Sequence, residues 1–340
     1  MNHPPFEIAG TTFASGTKGH VWLDVAHAPA GGTIAVPLIV AHGAEPGPTV
    51  VIEACAHGDE YEGTLSVITF MADLMPDRLR GTVLAVPVLN GPAFEAETRG
   101  SPLERYHYDL NRTFPGSASG SLTQRITAQY FEHVVKRAST VISLHGGGNV
   151  FYLDGFVVVH GDADDEAGVL DLVRAFGWPR FTTNPDVGAN PYQGTLWEKC
   201  HAHGIRTIVG ELGGACRRSP TDLVRAKGMF HNAIQGTLRH LGLLAETPDP
   251  VPTLQRIKKQ NLRAAHGGII DLAPGIDIDA PVSAGSRLLT IYDPVGTELE
   301  VLSAPFDGYV MAIPGSPLAY PGRILTSVYT VVEEIPPPRG

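Results

Sequence analysis

Apolar runs alternate with amphipathic stretches through the N-terminal part of the chain, a rhythm that predicts an α/β fold. Thr49-Val50-Val51-Ile52-Glu53-Ala54-Cys55-Ala56, Thr82-Val83-Leu84-Ala85-Val86-Pro87-Val88-Leu89, Thr140-Val141-Ile142-Ser143-Leu144-His145 and Ile205-Arg206-Thr207-Ile208-Val209-Gly210-Glu211-Leu212 are nearly continuous in apolar residues. Strands buried on both faces have this composition. A further strand is expected at 155–160, and helices over 64–75, 122–138, 165–177, 193–203 and 221–243. The second helix opens on Ser121-x-x-Gln124, a capping box. Ahead of the α/β region, His20 to Val25 and Thr33 to Val40 alternate across Ala30-Gly31-Gly32 and read as a β-hairpin. The segment 90–120, rich in Gly, Pro, Asn and Arg, is expected to be an irregular functional loop.

The rhythm changes after Ala245-Glu246-Thr247-Pro248-Asp249-Pro250-Val251-Pro252, a linker by composition. Short strands follow, punctuated by Gly267-Gly268, Pro274-Gly275, Ala284-Gly285, Asp307-Gly308 and Pro321-Gly322, which predicts a small all-β barrel or sandwich over 253–335. The expected organisation is a catalytic domain at 1–244, a linker at 245–252 and a β domain at 253–340. Ala304-Pro305-Phe306-Asp307-Gly308 resembles the biotinyl/lipoyl barrel, but such a carrier needs a lysine and residues 260–340 contain none. The β domain is expected instead to narrow an active-site mouth or to make an oligomer contact.

Composition narrows the function. A chain of 340 residues with 43% hydrophobic content can bury a full core. A formal net charge of -10 without a basic block argues against a nucleic-acid or anionic membrane partner. The N-terminus has neither a basic start nor an apolar core of a signal peptide, and no apolar run is long enough to span a bilayer. Three cysteines without a CxxC fit a reducing compartment, so the expected localisation is cytoplasmic. Cys55 reads as core packing.

Three of the apolar runs end in chemistry. His57 and Glu60 follow the first, His145 ends another, and Glu211 lies near the end of a third. Ligands collect outside the carboxyl ends of strands in open α/β sheets. Two imidazoles and one carboxylate leave a tetrahedral Zn2+ one open position, the catalytic pattern. A buried carboxylate such as Glu211 is costly unless used. It suits a general base that passes a proton to a leaving amine, and a salt bridge to Arg206 is the structural alternative. Asp109-Leu110-Asn111-Arg112 and Arg99 offer forks for a substrate carboxylate and a polarised carbonyl. Asp59 and Glu62 are candidate orienters of the imidazoles. His107, His133, His160, His201, His203 and His231 read as solvated or structural. Gly146-Gly147-Gly148 lacks the residues of a phosphate loop, and no GxSxG is present.

His57-Gly-Asp-Glu60, Thr98-Arg99, Asp109-Leu-Asn-Arg112, His145 and Glu211-Leu-Gly, in this order, resemble the aspartoacylase/succinylglutamate desuccinylase family of zinc-carboxypeptidase-like amidohydrolases. The resemblance is greatest to the bacterial branch with N-acetyl-diaminobutyrate deacetylases, although Gly146 stands where that branch carries serine. It implies a zinc-carboxypeptidase-like mixed sheet flanked by helices, with a β-barrel appendage. It further implies one Zn2+ per chain held by His57, Glu60 and His145, with Glu211 as base and acid. Arg99 would polarise the carbonyl, while Asn111 and Arg112 would hold the substrate carboxylate. The family's substrate-contacting tyrosine has no secure counterpart; Tyr192 and Tyr309 are the candidates. The expected activity is hydrolysis of a small N-acyl amino acid by a homo-oligomer. A metallocarboxypeptidase and a non-catalytic binding protein are the alternatives.

Overall fold

The computed structural model describes residues 3–106, 108–160, 165–183, 193–214, 220–245 and 253–337. A short hairpin, β1 (Phe6–Ile8) and β2 (Thr11–Phe13), precedes the predicted one, β3 (Thr17–His27) and β4 (Thr33–His42). There follow β5 (Glu45–Ala54), α1 (Glu62–Asp73), β6 (Arg80–Val86), α2 (Gly91–Glu95), α3 (Leu122–His133), β7 (Thr140–His145) and β8 (Phe151–Val159). Next come α4 (Glu166–Phe176), β9 (Arg180–Thr183), α5 (Leu196–Ala202), β10 (Arg206–Gly213) and α6 (Pro220–His240). The rest is strand: β11 (Leu254–Arg263), β12 (Gly268–Leu272), β13 (Pro281–Val282), β14 (Arg287–Tyr292), β15 (Glu298–Ser303), β16 (Gly308–Pro314), β17 (Leu318–Ala319) and β18 (Ile324–Ile335).

The fold is mixed α/β. Twelve strands form one sheet in the order β13-β16-β18-β11-β9-β8-β10-β7-β5-β6-β4-β3. Within it β10, β7, β5 and β6 are parallel neighbours. Their sequences lack alternation because both faces are covered. Val50, Ile52 and Ala54 of β5 join a core with α1, α4 and α6. Val51, between them, joins the opposite core with α3 and α5.

Several boundaries differ from the sequence expectation for local reasons. α1 starts at Glu62 rather than 64. The capping box forms as expected, with Ser121 Oγ accepting from Gln124 N and Gln124 Oε1 accepting from Ser121 N. That helix stops at His133, and a 3-10 turn, Val135–Arg137, takes the place of its last turn. β8 begins at Phe151 rather than 155, and β9, short and partly polar, gave no periodic signal. The helix expected from 193 begins only after Thr195, whose hydroxyl caps it by accepting from Glu198 N.

The sheet passes without a break into the C-terminal strands, since β11 pairs with β9 and β16 with β8. A second sheet, β15-β14-β12-β17, lies over that end, and Leu288, Val310, Ile313 and Val328 fill the space between. Residues 246–252 of the predicted linker lie outside the described residues. No helix among the described residues is long and apolar enough to cross a membrane.

Candidate metal centre

The order β6-β5-β7-β10 makes a switch point at β5. The chain leaves β5 to form β6 on one side, and β7 is added on the other. The loops at the carboxyl ends of β5 and β7 therefore part, and such a point is where open α/β sheets form a ligand crevice. His57 and Glu60 enter it from β5, and His145 from the last position of β7. Glu211 lies in register with His145 on the adjacent parallel strand, so both side chains stand on the same face.

Close packing shapes the loop that carries the first pair. Cys55 has a positive φ and turns the chain out of β5. Burial pushes its thiol up to about 12, in keeping with a packing role. A Cβ on Gly58 would lie 2.0 Å from the Ala93 carbonyl carbon, so only glycine lets the loop pass α2. Gly63 likewise lets α1 settle on β7, where an added Cβ would meet Leu144 Cβ at 2.7 Å.

His57, Glu60 and His145 are buried, and one potential ligand atom from each lies within 4.8 Å of the others. Glu60 joins the three: Oε1 is 2.9 Å from His57 Nδ1, and Oε2 is 2.8 Å from His145 Nδ1. Gly146 N also donates to Oε2 at 3.3 Å. Burial would raise the Glu60 pKa, but the two imidazoles hold it well below the usual carboxylate range. Burial would likewise lower the pKa of His145, yet the bond and charge of Glu60 push it up to about 9. His57 Nδ1, close as it is to Oε1, makes no hydrogen bond in acceptable geometry. A buried ring nitrogen without a hydrogen-bond partner, beside one carboxylate and a second imidazole, fits a divalent metal ion.

The orienter of His57 is Asp109, which the sequence reading quoted without assigning that role. Asp109 Oδ1 accepts from His57 Nε2 and from Asn111 N, each at 2.9 Å. Arg99 donates to Asp109 Oδ2 through Nε (3.1 Å) and a terminal nitrogen (3.0 Å), and to Glu60 Oε1 at 2.9 Å. Of the expected orienters, Asp59 instead accepts from Asn149 N at 2.9 Å and holds the loop after β7. Glu62 accepts from Gly214 N at 2.8 Å, and burial pushes its pKa up to about 7. Glu53, buried on β5 and hydrogen-bonded by Ser143 Oγ, also escaped the sequence reading. An isolated Glu inside an apolar run was its only signal.

The salt bridge weighed for Glu211 is not made. Arg206, at the opposite end of β10, pairs with Asp165 at 3.1 Å. Glu211 is half-buried, and burial raises its pKa against the opposing charge of His145. Asn111 Oδ1 accepts from Leu196 N at 2.8 Å, and Arg112, exposed, donates to Asn111 O at 2.6 Å. Tyr309 lies against Tyr329, ring centroids 5.5 Å apart, while Tyr192 and His107 lie outside the described residues.

Residues 46–237 match the model of the succinylglutamate desuccinylase/aspartoacylase catalytic domain. The chain belongs to this family. A relative with 30% identity over 270 residues is the N-alpha-acetyl-L-2,4-diaminobutyric acid deacetylase of Halomonas elongata, the match covering 77% of this chain and 75% of the relative. Among solved structures, the product-bound ectoine utilization protein EutE (DoeB) from Ruegeria pomeroyi superposes with a TM-score of 0.81 at 24% identity, over 96% of this chain and 98% of that one. A succinylglutamate desuccinylase from Silicibacter sp. TM1040 gives the same values. Both share the fold of this desuccinylase/aspartoacylase family member.

Proposed function

We propose that the protein hydrolyses the amide bond of a small N-acylated amino acid, releasing a carboxylate and a free amine, on a zinc-carboxypeptidase-like arrangement of the sheet. The observation that carries this reading is the buried His57, Glu60 and His145 cluster with Glu211 in register beside it, in a member of a deacylase family.

His57, Glu60 and His145 would hold Zn2+, which when bound would supply Lewis acidity and make water a nucleophile near neutral pH. Glu211 takes the proton of the attacking water and returns it to the leaving nitrogen. Burial moves its pKa toward the range in which one carboxyl can do both. Arg99, at the rim of the cluster, steadies the negative charge that develops on the acyl oxygen. The Asn111 side-chain oxygen Oδ1 is committed to Leu196 N, which leaves the Nδ2 donors, with the Arg112 guanidinium, for the substrate carboxylate. The Halomonas relative suggests an N-acetylated amino acid with a short amine-bearing side chain as the first substrate to try.

The purified protein should be assayed with Zn2+ and with chelator on N-acetyl and N-succinyl amino acids beside dipeptides. Chelator-sensitive release of amine from an N-acyl amino acid is the expected result. Inactivity on every compound under both conditions would remove the enzyme reading, and faster turnover of dipeptides would replace it with a carboxypeptidase.

A further inference from the structure

The twelve-stranded sheet ends at β3, which pairs with β4 alone among the described residues. An open strand of 11 residues is a template for another strand, and proteins commonly block such edges with charge. Lys18 does not serve here. Its ammonium turns onto the C-terminal end of α1, donating to Met71 O (2.6 Å), Ala72 O (2.8 Å) and Leu74 O (2.9 Å). Trp22, in the middle of the strand, is 60% exposed.

Between His20 and Asp24, short of the β-bulge between Asp24 and Ala26, the strand matches itself about Trp22. Val21 and Leu23 flank it and are buried in the core shared with α3. His20 and Asp24 follow on either side, exposed and complementary. Two such strands crossing antiparallel at Trp22 set His20 of each copy opposite Asp24 of the other, twice, with Val21 opposite Leu23. The backbone agrees with this register. Pro37 stands opposite Trp22 in β4 and has no N–H to give. It costs the ladder no bond only if that pair is a non-hydrogen-bonded one, and alternation then turns the N–H and C=O of Trp22, His20 and Asp24 to the open edge. Beside the edge runs an apolar groove of about 500 Å³ walled by Trp22, Pro37, Ile39, Ile68 and Met71.

We propose that β3 is a self-complementary edge at which a second copy of this chain pairs antiparallel about a two-fold axis at Trp22, joining two sheets into one. The two indoles meet at the axis and cover the near ends of both grooves. Such a contact is isologous and closes at two copies. β4 and β6 stand between β3 and β5, so each metal centre stays within its own protomer, and the inference does not rest on the deacylase reading.

Sedimentation velocity of the wild-type chain should show a dimer. His20→Glu places like charges opposite one another twice and should weaken the dimer by about tenfold or more. The double variant His20→Glu/Asp24→Lys sets Glu opposite Lys at both places and should recover the dimer. In wild type, amide exchange at His20, Trp22 and Asp24 should slow as concentration rises through the dissociation constant. A monomeric wild type would overturn the proposal, as would a dimer insensitive to His20→Glu. A folded double variant that stays monomeric, or exchange at these amides independent of concentration, would do the same.

Discussion

His57 donates its Nε2–H to Asp109 Oδ1 over 2.9 Å, and this bond decides which nitrogen of the ring faces the crevice. Burial would raise the Asp109 pKa, but the His57 bond and the charges of His57, Arg99 and Arg112 hold it far below the usual carboxylate range. Asp109 is therefore an acceptor, Nε2 the donor, and Nδ1 the nitrogen left to give a lone pair to a metal.

Replacing Asp109 by Asn keeps the size and removes the charge. The amide can present a donor to Nε2 and no longer anchors Arg99. Asp109→Asn should bind zinc roughly 10–100-fold more weakly, measured by competition with a chromophoric chelator. Affinity equal to wild type would show that Asp109 does not set the ring.

The two members of the β7/β10 register pair should separate cleanly. Glu211→Gln should retain one zinc per chain by elemental analysis while kcat falls by about 10²–10⁴. His145→Ala should lose the metal. If the metal contents came out the other way round, the assigned roles would be exchanged.

Gly58 tests whether loop packing places the ligands. Its Cβ direction runs into the Ala93 backbone, which cannot rotate away as a side chain tip can. Gly58→Ala should cost about 1–3 kcal/mol in urea unfolding and lower zinc occupancy, although it removes no ligand. Wild-type occupancy in this variant would mean that the loop tolerates the shift.

A charged junction should give stability a pH signature. Asp154 on β8 accepts from Arg225 of α6 and from Arg180 of β9 (2.9 Å), and Arg180 also donates to Asp279 at 2.8 Å. Burial would raise the Asp154 pKa, but the Arg225 bond and both arginine charges hold it below its ordinary value. A depressed folded pKa contributes stability that is complete above the unfolded value, about 3.9, and is lost as pH falls through the folded one. Asp154→Asn should therefore be destabilised by about 2 kcal/mol at pH 7, with the deficit shrinking below about pH 4. A deficit independent of pH, measured by chemical denaturation across that range, would assign it to packing.

The apolar runs made the parallel strands legible because strands covered on both faces need no polar alternation. His57, Glu60, His145 and Glu211 were legible for a related reason: polar side chains ending such runs lie at the rim of a sheet, where a ligand can reach them. Helix ends were less so. α3 gives way at Val134 to a 3-10 turn that its periodicity does not announce, and β9 is too short to have a period.

Sequence by itself determined the α/β pattern, the change to strands after 253 and which side chains at strand ends have the chemistry of metal ligands, since these depend on periodicity and side-chain chemistry. It could not say that β5, β7 and β10 are neighbours, because strand order is set by how long-range packing closes the sheet. Nor could it choose Asp109 over Asp59 as the partner of His57. Asp59 is two residues away in the chain, but the loop turns its carboxylate to Asn149 and brings Asp109 across from the far side of the crevice.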